Sequence, residues 1–246
     1  MPQGVAVGAG RLWVAAYHST DPAQGRGPCR VFAIDPADGR IAGYFDLPAV
    51  CGHAGGSAYA SDGYLYVADT RHLFRIDTAA ALAAKRCTLE TCGMVSLAGD
   101  LRGSALAYRE GKLWFASYVT AKDGTGRLWE VSEDRVLAMM TAGAGALDDH
   151  GAQRTLTIAH QTQGAAVAAD GSIWLTQSSG KFGRLQKIDA QSGEVLASYA
   201  MPAGIEDIEF DPDGRLWAVS EAGSQRWLAW STFFPIVFAL DIAALH

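Results

Sequence analysis

A glutamate inside an apolar segment is the feature of this chain that most strongly indicates chemistry. Glu206 lies in the segment GIEDIEF, residues 204–210, whose character predicts a β-strand. A carboxylate in such a strand needs a cation, a pair of hydrogen-bond donors or a shifted pKa. His53 is the best candidate to work with it, because an imidazole can act as a general base while a carboxylate orients it. A simpler interpretation of His53, a hydrogen bond to a loop carbonyl group, is equally open.

The elements that must position these residues come from a repeat. The pattern Gly-x-Leu/Ile-Trp/Tyr occurs five times, at intervals of about 43 to 60 residues. Around residues 162–199 the pattern expands into four strands joined by polar turns, with an Asp-Gly turn between the first two. Four-stranded units at this spacing are typical of β-propeller blades. The five copies lie at residues 10–13, 63–66, 111–114, 171–174 and 214–217.

The repeat predicts an all-β fold, a single domain over residues 1–246 that forms a five-bladed β-propeller of four-stranded blades. A truncated six-bladed propeller is the alternative, because the last unit ends after its third strand. Its outer strand is missing or comes from upstream of Met1. Only the stretch 79–85 looks helical, and it is short. We place the blades approximately at 1–51, 52–101, 102–143, 160–202 and 203–246, with 144–159 as a loop on the upper face.

The repeat also resembles a known superfamily. The unit at residues 171–195, with its Asp-Gly turn, Trp, Ile-Asp and Ser-Gly-Glu-Val, resembles a blade of the streptogramin lyases. More broadly, it is similar to the SMP-30/gluconolactonase and strictosidine-synthase-like propellers. These residues specify architecture and not chemistry. What the resemblance implies about chemistry comes from the superfamily, in which the channel mouth commonly carries hydrolase or lyase activity. It implies a divalent cation, calcium or zinc, with Glu206 and His53 as the best ligands and Asp69 or the glutamines completing a sparse shell.

Alignment of the strands predicts a polar ring at one mouth of the central channel. The starts of the first strands and the ends of the second strands share one face, and the long loops lie there too. Gln3, Gln163 and Glu206 fall in one column of the alignment, and His53 and Gln161 lie two residues earlier in theirs. The ends of the second strands add Tyr17, His18, Asp69, Tyr118, Gln177 and Glu221.

The polar ring suits functions of different classes. As an enzyme, the protein would be a hydrolase or lyase acting on an ester- or lactone-type small molecule, with Glu206 and His53 as catalytic residues. As a binding module, it would hold a small molecule or a protein through its loops, including the aromatic loop 227–235. In a structural interpretation the ring only hydrates the channel, and Asp69 forms a salt bridge with Arg71 or Arg102.

Composition limits the partners. The net charge of −6 argues against binding to nucleic acid or to an anionic membrane surface. No apolar run reaches the length of a membrane span. A small-molecule ligand is therefore the expected partner, and the oligomeric state stays open.

The four cysteines predict two disulfide bonds. Cys29 precedes the third strand of blade 1 and Cys51 follows the fourth, so antiparallel neighbours bring both to one face. Cys87 and Cys92 flank four residues and would close a small surface loop. Two bridges predict a secreted or periplasmic protein whose signal sequence was removed upstream of Met1. Four reduced thiols in a cytosolic protein are the alternative.

Overall fold

Five sheets arranged around one axis make up the computed structural model, which describes residues 1–19, 25–88, 91–120, 123–143, 145–180, 182–229 and 235–245. From the axis outward, blade 1 consists of β1 (Pro2–Gly8), β2 (Arg11–Tyr17), β3 (Cys29–Ile34) and β4 (Ile41–Asp46). Blade 2 follows with β5 (Gly56–Tyr59), β6 (Tyr64–Asp69), β7 (His72–Asp77), helix α1 (Thr78–Ala84) and β8 (Cys92–Leu97).

Between the third and fourth strands of blade 3, the chain forms a helix and a short extra strand. Blade 3 begins with β9 (Ala105–Arg109), β10 (Lys112–Ala116), β11 (Gly126–Ser132) and helix α2 (Glu133–Ala142). The chain then passes through β12 (Ala146–Leu147), which lies parallel beside β8, and β13 (Arg154–Ile158), the outer strand of blade 3. Blade 4 consists of β14 (Thr162–Val167), β15 (Ile173–Ser178), β16 (Gly183–Ile188) and β17 (Val195–Met201). Blade 5 consists of β18 (Ile205–Phe210), β19 (Leu216–Ser220) and β20 (Ile236–Leu240).

The repeated glycine sits in the turn between the first and second strands of every blade. All five copies have positive φ, from 70° at Gly10 to 91° at Gly63. Side chains other than that of glycine rarely adopt this conformation, which explains why the pattern recurs. The aromatic residue three positions later packs between blades: Trp13 stacks on Tyr59 with ring centroids 6.2 Å apart, and Trp174 meets Phe210 edge-on at 6.2 Å.

The inner strands form a closed ring. β1, β5, β9, β14 and β18 each pack against the next, and β18 packs against β1. Alanines at Ala6, Ala58, Ala107 and Ala166 are fully buried there, because strands crowded around an axis have room only for small side chains. The fold is thus a five-bladed propeller, as predicted, and the truncated six-bladed alternative is wrong. Among the described residues blade 5 has three strands, as the sequence also indicated.

Two segments differ from the prediction. The short helix expected at 79–85 is present as α1, but α2 was not expected. Ser132 caps α2 by accepting a hydrogen bond from the Arg135 amide (3.4 Å), and Gly143 ends it with φ of 63°. Residues 144–159 are not an upper-face loop: α2 leaves from the lower end of β11, and β13 returns along β11 as the fourth strand of the blade.

One of the two predicted disulfide bonds is present. Cys87 and Cys92 are bridged, with their α-carbons 5.6 Å apart. Cys29 and Cys51 come together as the strand pairing predicts, but they are free and buried, so the second bridge is a wrong prediction. The hydrogen bond to Cys51 and then burial raise the pKa of the Cys29 thiol, and disulfide formation needs a thiolate.

No helix within the described ranges is long and apolar enough to cross a membrane.

Gly164 lies at a close approach of the inner strands β14 and β18 and gives a test of the ring. A β-carbon at this position in β14 would lie 2.6 Å from both the Asp207 Cα and the Glu206 carbonyl oxygen. We expect Gly164→Ala to lower the free energy of unfolding by about 1–3 kcal/mol, because backbone atoms of β18 would have to move. Urea unfolding measures this change.

Gly43→Ala in β4 is the matched control. Its added β-carbon would meet only the end of the flexible Leu82 side chain, at 3.0 Å. Equal unfolding midpoints for the two variants would contradict the close approach of β14 and β18.

Candidate functional site

A cavity of about 760 Å³ opens at the upper mouth of the channel, where β1, β14 and β18 begin. Side chains from all parts of the ring reach it, because first strands start and second strands end at this face. Of the residues predicted from the sequence, those that line it are Gln3, His53, Asp69, Tyr118, Gln163 and Glu221. Glu206 lies just beneath, 1% exposed and hydrogen-bonded to two of them.

Two glutamates form a hydrogen-bonded pair beside the cavity. Glu206 is the second residue of β18, and Glu221 directly follows β19, where its amide bonds the Gly204 carbonyl group (3.0 Å). This hairpin end brings the two carboxyl groups into a hydrogen bond. Each carboxyl group also accepts one from a glutamine: Gln163 Nε2 donates to Glu206 Oε1 (3.0 Å), and Gln3 Nε2 donates to Glu221 Oε2 (2.6 Å).

The pair holds one proton near neutral pH. Burial raises the pKa of Glu206 well above its usual range, and the adjacent Glu221 raises it further. Burial also raises the pKa of Glu221, to about 7, although the hydrogen bond from Gln3 and the charge of Arg226 oppose the rise. Glu206 therefore keeps its proton and donates a hydrogen bond to Glu221. The Glu221 carboxyl group is the one that ionises close to neutral pH.

Arg226 and His53 line the cavity, and the buried Tyr17 connects them. Arg226 Nη1 donates to the Tyr17 hydroxyl group (3.0 Å), and the Tyr17 ring stacks on His53 with centroids 5.1 Å apart. His53 Nδ1 lies 2.8 Å from the Gly25 carbonyl oxygen, the simpler of the two roles considered for it. A carbonyl oxygen only accepts, so Nδ1 carries the hydrogen and Nε2 is left as an acceptor. Burial lowers the pKa of His53, which favours this neutral form.

Asp69 holds the backbone of a neighbouring loop. Its carboxylate accepts hydrogen bonds from the Gly52 amide (3.2 Å) and the Thr70 amide (2.7 Å). His72 Nδ1 lies 3.7 Å away. Among the described ion pairs Asp69 meets neither Arg71 nor Arg102, so the salt bridge considered from the sequence is not formed.

The donor atoms do not fit the predicted metal site. Within the described residues, no three His, Cys, Asp or Glu side chains form a group that could hold a metal ion. Glu206 is bonded to Glu221 and Gln163, His53 to Gly25, and Asp69 to two backbone amides. Among the described contacts, Glu206 forms no hydrogen bond with His53, so Glu206 does not orient the His53 imidazole. Glu206, His53 and Asp69 therefore do not form the predicted ligand set. Binding of calcium or zinc stays a prediction from the resemblance.

The other predicted residues have diverse roles. Gln177 is buried and donates to the His160 carbonyl group (2.6 Å), whereas Gln161 occupies a turn with φ of 56°. His18 lines a separate cavity beside blade 1, together with the edge of Tyr17. In the aromatic loop 227–235, residues 230–234 lie outside the described ranges.

Sequence reasoning placed Glu221 in the ring but missed its pairing with Glu206. The register of the β18–β19 hairpin was the available signal, since the start of a first strand faces the end of the second strand of the same blade. Arg226 was missed because only the aromatic residues of its loop were considered. It is the cation that opposes the raised pKa of Glu221.

The carboxyl pair makes stability depend on pH. Both folded-state pKa values lie above the ordinary value of about 4.5, so the pair stabilises the fold fully below that pH, and the contribution is lost as pH rises through about 7. Glu206→Gln keeps a donor to Glu221 but has no proton to lose. We expect wild-type stability to fall between about pH 5 and 8, relative to Glu206→Gln, by on the order of 1–3 kcal/mol.

Urea unfolding across this pH range measures the difference. Glu194→Gln, at an exposed position, should follow the wild type. If the wild type and Glu206→Gln lose stability in parallel, the assignment of a buried proton to Glu206 is wrong.

Comparison with known proteins shows the fold. No family model matches the chain, and no curated protein matches it. Glutaminyl cyclase from Myxococcus xanthus has a TM-score of 0.58 at 15% identity, over 98% of this chain and 91% of that one. A luciferin-regenerating enzyme has a TM-score of 0.50 at 12% identity, over 100% and 79%. A protein whose name assigns it provisionally to the gluconolactonases has a TM-score of 0.47 at 14% identity, over 85% and 71%.

Several other similar chains are longer. This chain spans 55% of the Kuenenia stuttgartiensis hydrazine synthase chain that it matches. At identities this low, the structural likeness shows a shared fold, the level at which the resemblance was drawn from the sequence, and no more.

Proposed function

We propose that the protein is a hydrolase of small lactones or esters that uses the Glu206–Glu221 pair at the upper mouth for general acid–base catalysis. The observation that carries the proposal is the buried, hydrogen-bonded pair of carboxyl groups at the cavity, whose pKa values burial raises. A base that ionises close to neutral pH, beside an acid that stays protonated, meets the requirement for moving protons at a carbonyl centre.

Glu221 acts as the base. Its carboxylate lines the cavity and takes a proton from water while the water oxygen forms a bond to the carbonyl carbon of the substrate. The carbonyl π electrons move to oxygen and give a tetrahedral oxyanion. The proton then passes from the pair to the leaving alkoxide oxygen as the carbon–oxygen bond breaks, so the pair ends in its starting state.

Neighbouring groups support these steps. Gln3 and Gln163 fix the orientation of the two carboxyl groups through their amide hydrogen bonds. Arg226, held by Tyr17, supplies a positive charge that acts on Glu221 and stabilises the developing oxyanion. Neutral His53 offers an acceptor atom to a hydroxyl group of the substrate.

A second candidate is the cyclisation of an N-terminal glutamine. It is favoured by the likeness to the Myxococcus xanthus glutaminyl cyclase, which covers nearly the whole of both chains. Here the base would take its proton from the attacking amine rather than from water, and ammonia would leave. The same carboxyl pair suits both reactions, so the reaction products distinguish them.

The Cys87–Cys92 bridge supports a location outside the cytosol. Disulfide bonds persist in oxidising compartments. We extend the proposal to a secreted or periplasmic protein on this ground.

Activity against a panel of γ- and δ-lactones, aryl esters and glutaminyl peptides tests the proposal. We expect ring opening or ester hydrolysis with a rate that rises with pH through an apparent pKa of about 7, because Glu221 must be ionised. Glu221→Gln should lower kcat by about a hundredfold or more, the usual loss for a general base. Glu194→Gln, on an exposed turn, should leave it unchanged.

Release of ammonia from glutaminyl peptides alone would select the second candidate. Lactone or ester turnover that survives in Glu221→Gln, or that shows no ionisation near neutrality, would contradict the assigned base.

A further inference from the structure

The lower mouth of the channel holds a second cavity, of about 490 Å³, at the opposite end of the inner strands. All five inner strands contribute to its wall where they end. The residues concerned are Val7, Tyr59, Tyr108, Arg109, Val167, Glu209 and Phe210. The cavity is thus built by the ring itself and is separate from the site that contains Glu206 and Glu221.

Glu209 is the buried carboxyl group of this cavity. It lies in β18, three residues beyond Glu206, and is 8% exposed. Its carboxyl group faces the backbone amides of Phe210 and Tyr59, and no ion pair among the described residues includes it. Burial outweighs these amides and raises its pKa to about 8. A carboxyl group in this state gains most from a ligand that brings its own positive charge.

The other charges of the wall are already paired. Lys187 Nζ lies 3.2 Å from Asp170, Arg215 Nε lies 3.1 Å from Asp211, and Arg109 contacts Glu110 at 3.0 Å. These pairs leave little net field at the rim. An anionic ligand would therefore have to break an existing ion pair. A cationic ligand could instead pair with Glu209, which forms no ion pair among the described residues.

Aromatic side chains form part of the remaining wall. Trp174 and Phe210 meet edge-on, and Tyr59 also lines the cavity. The Tyr108 hydroxyl group is bound to Glu133 (2.9 Å), so its ring is the part available to a ligand. Aromatic faces attract ammonium groups and also bury an apolar body.

We propose that this lower cavity binds an organic amine, a primary ammonium group on an aromatic or apolar body, with Glu209 as its counter-ion and the aromatic wall around the body. The site differs in position and chemistry from the proposed catalytic pair, and the proposal does not depend on that function.

Isothermal titration of the full chain with 2-phenylethylamine, in phosphate buffer free of competing amines, tests the proposal. We expect one molecule to bind per chain. The neutral 2-phenylethanol and the anionic 3-phenylpropanoate should bind at least about tenfold more weakly, because they lack the positive charge. Glu209→Gln should weaken binding of the amine by about tenfold or more.

Three further variants locate the binding. Glu194→Gln, an exposed carboxylate in the turn after β16 with no ion pair among the described residues, should bind the amine as the wild type does. Glu221→Gln at the other mouth should also be unchanged. Ala169→Trp introduces a large side chain from an exposed position of the wall and should block the cavity with Glu209 intact, which decides the matter if Glu209→Gln does not fold.

Four results would overturn the proposal. They are no binding of the amine at about 10 mM, equal binding of amine and alcohol, undiminished binding in Glu209→Gln or Ala169→Trp, and binding that is lost in Glu221→Gln.

Discussion

Desolvation of the acidic residues of β18 is the constraint on which the chemistry of this molecule depends. Five inner strands meet at one axis, and the strand of blade 5 brings Glu206, Asp207 and Glu209 into that crowded space. Burial is the largest cause of the raised pKa at each of them. An ordinary sheet surface would leave such groups ionised and inert near neutral pH. The propeller axis converts them into groups that can hold, donate and accept protons.

The same strand also closes the ring. Asp207 Oδ2 accepts hydrogen bonds from the Val5 amide (3.1 Å) and the Ser57 amide (2.8 Å), so one carboxyl group joins β18 to β1 and β5. Glu206 and Glu209 face the two mouths on either side of this junction. Structure and function are therefore coupled in one short segment: Asp207 fixes the strand, and its neighbours are held where the two cavities need them.

The fold and part of the site could be predicted from the sequence. The turn glycines and the following aromatic residues are local requirements, so they recur and reveal five blades. Alignment of the strands then placed Gln3, Gln163, Glu206 and Glu221 on one face, because strand direction alone decides which ends meet. Which side chains bond to each other depends on register and on loops, and a repeat pattern does not carry that information.

The predictions that the structure contradicts also concern contacts and local signals that a repeat pattern does not carry. Helix α2 was missed because its capping serine and terminal glycine are local signals inside a unit that was assigned to strands as a whole. Cys29 and Cys51 were placed together correctly, but proximity does not decide whether two buried thiols become oxidised. The three-residue metal site came from the resemblance, and in this chain backbone groups and a second glutamate occupy the donor atoms instead.

The account rests most directly on the protonation of one pair of carboxyl groups. Carbon-13 labelling of glutamate side chains, with resonances assigned through Glu206→Gln and Glu221→Gln, allows both groups to be titrated by NMR. We predict that the Glu221 resonance titrates near pH 7, while that of Glu206 keeps the shift of a protonated acid to well above this value. Two independent titrations close to pH 4.5, the ordinary range of exposed glutamates, would contradict the account.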